Sequence, residues 1–377
     1  MTTSRTLKIF PGLLALLTLA ACGGSSEKKV CNASNCCGGS DACPATQVVF
    51  ANGLDGMVAG FPVNPVTGAL SAPTTTPGPA MSLGMAAMNS QFLYVSELQP
   101  NLGDPSTISA WSINLGNGTL TTVPQSPFSL GPLTVAGGLA VDHSAQVLYV
   151  GDAGKIDALK ADATGALSPL PNSPFPSGIN IFLTIDPQDH FLFAADDRPP
   201  GGVVAFTIDS TGAPTPVTGS PFPVIPNSND NTQPTEIVVD SSGKFVYTGL
   251  LLTNQIAALA IAPSTGVLSP VPGSPFATGN SPFHLATVNN FLYVSNIFDH
   301  ALSGYSIDPT TGVLKPLSGS PFAIPAGPLT SDPTGQFLYT TIRGSMLAFS
   351  INASTGALTP IGSPIPYVGA SVLTFVQ

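Results

Sequence analysis

The sequence predicts an all-β fold, a seven-bladed β-propeller whose ring is closed by the C-terminal strand. Three observations carry this expectation. An aromatic four-residue strand recurs seven times, and a glycine turn follows it in phase each time. The chain also starts one strand into its first repeat and ends on the strand that is missing. Composition agrees, because Gly and Pro number 39 each in 377 residues and leave few stretches able to hold a three-turn helix. A helical bundle and an α/β fold are excluded on that ground. Extended disorder is excluded as well, since 43% of the residues are hydrophobic and fall in regular clusters.

In chain order, residues 1–21 read as an export signal. Arg5 and Lys8 form a positive start, and Ile9 to Ala21 form an apolar run of thirteen residues. A membrane-spanning helix needs about 20. The run ends in Leu19-Ala20-Ala21-Cys22, which matches the bacterial lipoprotein pattern and implies acylation at Cys22. Residues 22–44 are then a lipidated, cysteine-rich tether. Cys31, Cys36, Cys37 and Cys43 remain as an even set, expected in an exported chain to form two disulfides whose pairing stays open. A zinc site would want paired C-x-x-C spacing, which is missing. The expected location is the bacterial cell envelope, with the membrane as a partner through the lipid on Cys22.

Residues 45–377 form the propeller. The aromatic strand appears as Val48-Val49-Phe50-Ala51, Phe92-Leu93-Tyr94-Val95, Val147-Leu148-Tyr149-Val150 and Phe191-Leu192-Phe193-Ala194. It returns as Phe245-Val246-Tyr247-Thr248, Phe291-Leu292-Tyr293-Val294 and Phe337-Leu338-Tyr339-Thr340. Continuous apolar runs of this kind suit strands buried on both faces. The turn glycines are Gly68, Gly118, Gly165, Gly212, Gly266, Gly312 and Gly356, spaced 44 to 54 residues apart, the length of a four-stranded blade. Ser-Pro-Phe follows at 126–128, 173–175, 220–222, 274–276 and 320–322. Proline lacks a donor, which places the motif on or just past an outer edge strand. The last segment, Ala370 to Val376, is an inner-type strand with no outer strands behind it, so it completes the first blade.

The repeats resemble the lactonase family of seven-bladed propellers, which includes 6-phosphogluconolactonase and carboxymuconate cyclase. The likeness rests on Phe-Leu-Tyr-Val-Ser strands and on Ile-Asp-x-x-Thr-Gly-x-Leu turns across the whole body. Members that act on lactones carry Gly-Pro-Arg-His at an inner strand and Asn-Glu after an aromatic strand. Here the equivalents are Ser281-Pro282-Phe283-His284, with Phe283 in place of the arginine, and Ser295-Asn296-Ile297, with Ile297 in place of the glutamate. A glutamate survives in the second blade, as Glu97.

Glu97, Glu236 and His284 are the candidate catalytic residues, on one rim with Asp152, Asp196, Asp197, Arg198, Asp299, His300 and Arg343. Histidine is the side chain best suited to general acid–base work, which makes His284 the leading candidate, and Glu236 occupies a comparable place in the preceding blade. No cofactor and no metal is expected, since there is no phosphate loop and no His-Glu-x-x-His. From Ala45 onward six basic residues face eighteen acidic ones, a formal charge of −12. Nucleic-acid binding is excluded by that balance, and a phosphorylated lactone is disfavoured. The degraded arginine and glutamate favour a rim that binds a protein, glycan or small molecule. The alternative is a lactone hydrolase or cycloisomerase acting on a non-phosphorylated lactone, so enzymatic activity is left open.

Overall fold

Apolar side chains on both faces make the second strand of each repeat the centre of its sheet, and the computed structural model pairs it on both edges. The structure describes residues 47–98, 105–131, 136–226, 228, 231–342 and 344–377, with the backbone of 20–21 and 30–31. Two compact units divide the chain, Met1–Cys43 and Pro44–Gln377. In the first, Ala20–Ala21 pairs antiparallel with Val30–Cys31. The expected signal cleavage, the lipid on Cys22 and the bridges among Cys31, Cys36, Cys37 and Cys43 lie outside the described residues, which include only the backbone of Cys31.

Within the second unit the described residues are strands and turns without a helix, arranged as seven blades. Blade 5 shows the plan. Its inner strand Pro234–Val239 pairs with Phe245–Leu250, then Gln255–Ile261, then Leu268–Pro270, all antiparallel. Blades 2, 6 and 7 begin from inner strands Met85–Met88, Pro282–Val288 and Leu329–Ser331. Blades 3 and 4 share one sheet, because Phe175–Ile185 leaves the outer edge of blade 3 and becomes the inner strand of blade 4. Ala370–Val376 pairs with Val48–Gly53, from Val376 opposite Val48 to Ala370 opposite Gly53. The ring is therefore closed by the C-terminal strand, and no sheet edge is left open at the seam.

The two repeat motifs lock into each other. Tyr247 Oη donates to the Gly312 carbonyl in the next blade at 2.9 Å, while the Phe245 ring lies where a Cβ on Gly312 would sit, at 2.4 Å. Gly312 has φ of +73°, so only glycine meets both the backbone conformation and the close approach. The same phenol-to-carbonyl latch joins Tyr94 to Gly165, Tyr149 to Gly212, Tyr293 to Gly356 and, across the seam, Tyr339 to Gly68. All five phenols are fully buried. Burial pushes their pKa values up, which keeps each one a neutral donor. In blades 1 and 4, Phe50 and Phe193 stand where the tyrosine would be. Thr74 Oγ1 donates instead to the Gly118 carbonyl at 2.8 Å.

Ser-Pro-Phe closes the outer edge. The phenylalanine pairs with the start of the third strand, as Phe276 does with Ile256, while the short fourth strand covers its end. Between the two, Ala258 N–H donates to Ser274 Oγ at 2.9 Å, and equivalent bonds use Ser126, Ser173, Ser220 and Ser320. The proline sits at the break in the fourth strand, where no donor is needed. At the other turn, Asp186, Asp240 and Asp332 accept from the N–H groups that begin the aromatic strand, such as Lys244 and Phe245.

Candidate functional site

Entries to the inner strands and turns between second and third strands share the upper face of the ring. In a regular propeller all seven inner strands would enter alike. Four do not, because β-bulges interrupt the register between Asn180 and Leu183, Pro234 and Ile237, and Pro282 and His284 in three consecutive blades, and between Ala370 and Val372 in blade 1. A bulge re-aims the side chains beside it. Below the bulges the register resumes, with Leu183 opposite Ala194, Ile237 opposite Thr248 and Leu285 opposite Val294. Phe182, Glu236 and His284 therefore occupy one equivalent position in blades 4, 5 and 6. The corresponding residues are Pro328 in blade 7, Val372 in blade 1, Gly84 in blade 2 and Gly138 in blade 3. Only blades 5 and 6 place a titratable group there.

The two groups meet. His284 Nδ1 lies 3.3 Å from Glu236 Oε2, and the same oxygen accepts the Leu285 N–H at 2.9 Å. That N–H belongs to the free edge of the innermost strand, so the carboxylate is anchored by the main chain of the next blade. Thr235 Oγ1 donates to the Pro282 carbonyl, and Thr287 Oγ1 to the Val239 carbonyl, which stitch the two inner strands on either side. His284 is 15% exposed and Glu236 32%, so the pair is sheltered yet open to solvent. A carboxylate on Nδ1 orients the ring and leaves Nε2 as the basic nitrogen.

Aromatic rings flank the pair. Phe283 lies edge-on to Phe182 with centroids 5.6 Å apart, and 4.8 Å from the His284 ring. The sequence marks Phe283 only as a residue in place of an arginine and carries no mark of Phe182. The signal that finds it is the register, which sets residue 182 in line with 236 and 284.

Glu97 does not join them. It lies in blade 2, where Oε2 accepts from Thr107 Oγ1 at 2.6 Å on the paired strand. Asp152, Asp196, Arg198 and Asp299 are engaged locally instead. Arg198 grips Asp196 through Nε at 2.9 Å and Nη2 at 2.6 Å, beside a cavity of about 350 Å3. Lys155 reaches Asp152 at 3.2 Å and Asp157 at 3.3 Å. Asp299 accepts the Asn280 N–H, and Arg343 lies outside the described residues. Among the described residues no three His, Cys, Asp or Glu side chains are grouped to hold a metal. A larger cavity of about 540 Å3 opens on the lower face, lined by Ala87, Asn89, Val141, His143 and Gln377. No Asp or Glu side chain lines it beside His143, so the upper pair is the stronger chemical candidate.

Comparison with known proteins agrees with this architecture. Residues 218–327, which span the Glu236–His284 pair, match the family described as Lactonase, 7-bladed beta-propeller. A candidate 6-phosphogluconolactonase from Bacteroides uniformis superposes with a TM-score of 0.70 at 15% identity, covering 88% of this chain and 99% of that one. A second from Bacteroides fragilis gives 0.68 at 18% identity over 90% and 100%. The periplasmic gluconolactonase of Pseudomonas aeruginosa gives 0.63 at 16% over 88% and 99%. No curated protein matches the sequence. At these identities the structural likenesses speak for the fold alone, a seven-bladed β-propeller, and over residues 218–327 the chain is similar to the lactonase family.

Proposed function

We propose that this propeller hydrolyses an uncharged lactone at the Glu236–His284 pair. The observation that carries the reading is the 3.3 Å approach of His284 Nδ1 to a carboxylate that is itself held by the Leu285 main chain. In the proposed reaction His284 Nε2 takes a proton from water, whose oxygen attacks the lactone carbonyl. Glu236 holds the ring and stabilises the imidazolium. The tetrahedral intermediate expels the ring oxygen, which takes the proton back from His284 and leaves the hydroxy acid.

Phe283 supplies no cation to the oxyanion, which rests on neutral donors and water. Losing such a donor typically costs 10²-fold or more, so turnover should be slow and should favour neutral substrates. The charge of −12 on the body works in the same direction against a phosphorylated lactone. The matched lactonase family supports hydrolysis over a rim that binds a protein or glycan. A screen of δ-valerolactone and glucono-δ-lactone against wild type and Glu236→Gln tests it. Glutamine keeps the acceptor for Leu285 but lowers the rate by about 10- to 100-fold, as for an orienting partner. Equal rates would contradict the assignment.

Placement at the cell envelope, through acylation of Cys22 and a tether bridged by Cys31, Cys36, Cys37 and Cys43, is part of the same proposal. Cys22→Ser should move the protein from the membrane to the soluble fraction. Unchanged fractionation with an unacylated N-terminus would contradict it.

A further inference from the structure

Resting on that reading of the site, we infer that its substrate is a lactone bearing an apolar substituent, an alkyl chain or aryl group, received by Phe283 and Phe182. Phe283 is half-buried, and among the described residues it joins none of the apolar clusters that form the core between blades. Its ring neighbours are Phe182 and His284. A phenyl ring left out of the core and set beside a base has a face to offer to a ligand.

The apolar surface continues outward from there. Phe298 is 72% exposed and Leu252 54%, the rim residues of blades 6 and 5. Main-chain bonds fix where they stand. Ile297 N–H donates to the Ser281 carbonyl, which puts Phe298 over the entry of the strand carrying Phe283 and His284. Leu252 N–H donates to the Thr232 carbonyl, which puts Leu252 over the entry of the strand carrying Glu236. Exposed large apolar side chains gathered at a polar site mark a binding groove more often than chance scatter. On blades 3 and 4 the same rim is charged instead, with Asp152, Lys155, Asp157, Asp196 and Arg198 paired among themselves. Leu54, Val368 and Met81 are exposed on the upper rim of blades 1 and 2 as well, and Leu252 and Phe298 are the two that stand on the blades carrying the pair.

The test uses the full-length chain and two lactones of one ring size, δ-valerolactone and δ-decalactone, which differ by a pentyl group. Wild type should favour δ-decalactone in kcat/KM by about 10-fold or more, the range that a few methylenes command in an apolar pocket. Phe283→Arg should lower that ratio by about 10-fold and raise relative turnover of an anionic lactone. Should Phe283→Arg fail to fold, Phe298→Ser at the exposed rim should still lower the ratio. A ratio near one, unmoved by either substitution, would overturn the inference while leaving lactone hydrolysis standing. The reverse failure is separable through binding of the unreactive cyclic ether 2-pentyltetrahydropyran by calorimetry. Binding lost in Phe283→Arg, with neither lactone turned over by wild type, would uphold apolar recognition and overturn the hydrolase reading. No binding and no preference would overturn the inference.

Discussion

Two levels of the same ring make opposite use of repetition. At the lower face, the turn between third and fourth strands carries glycine in all seven blades, from Gly68 to Gly356. At the upper face, the equivalent inner-strand position carries Val372, Gly84, Gly138, Phe182, Glu236, His284 and Pro328. The lower position is uniform because each turn must fit beneath the aromatic strand of the preceding blade, and that fit is the interface between blades. The upper position is varied because it joins nothing that recurs. Fold resides where the repeats agree, and chemistry where they part.

The largest break is at the seam. Deleting residues 370–377 removes the inner strand of blade 1 and exposes the paired edge of Val48–Gly53. The shortened chain should lose cooperative unfolding or aggregate, as read by calorimetry and light scattering. A monomer with an unaltered melting transition would place ring closure elsewhere.

Next comes the lower turn itself. Gly312→Ala puts a Cβ 2.4 Å from the Phe245 ring at a φ of +73°. Strain and overpacking should together cost about 2–4 kcal/mol in denaturant unfolding. Tyr247→Phe removes only the latch and leaves the Gly312 carbonyl without its donor, for about 1–2 kcal/mol. A cost near zero would mean that water takes over the carbonyl.

The smallest effect separates the blades by pH. Asp162 and Asp209 are held below the usual carboxylate range first by the Thr164 and Thr211 hydroxyls, and Asp308 first by the Thr311 N–H. Their folded pKa values lie below the unfolded ones, so their support is present at neutral pH and lost as pH falls through about 4 and below. Asn64, Asn114 and Asn352 cap the corresponding turns with an amide oxygen that does not titrate there. Burial raises Asp142 and Asp157 instead, and these two favour the folded state as they protonate, offsetting part of the loss. Changing Asp162, Asp209 and Asp308 to asparagine should flatten the acid side of the stability profile. An unchanged slope would assign it to other carboxylates.

Much of the fold is legible in the residues, since Phe-Leu-Tyr-Val, the turn glycine and Ser-Pro-Phe each answer to a local need and recur in phase. What they do for one another is less so. The partner of Tyr94 is Gly165, 71 residues on, and a linear motif carries no sign of it. Of the site, repeat phase sets Glu236 and His284 in adjacent blades, and the structure brings them together. It leaves Glu97 on Thr107 in blade 2, because a shared motif after the aromatic strand does not bring blades 2 and 5 together. Phe182 escapes sequence reading because bulges shift the inner strands by local geometry rather than by any residue signature.

The most direct test of this division measures stability and δ-valerolactone hydrolysis side by side in Tyr247→Phe and His284→Ala. Tyr247→Phe should lose about 1–2 kcal/mol of stability with its rate unchanged. His284→Ala should lose about 10²- to 10⁴-fold in rate with its unfolding midpoint close to wild type. A His284→Ala protein that hydrolyses the lactone as fast as wild type would contradict the account.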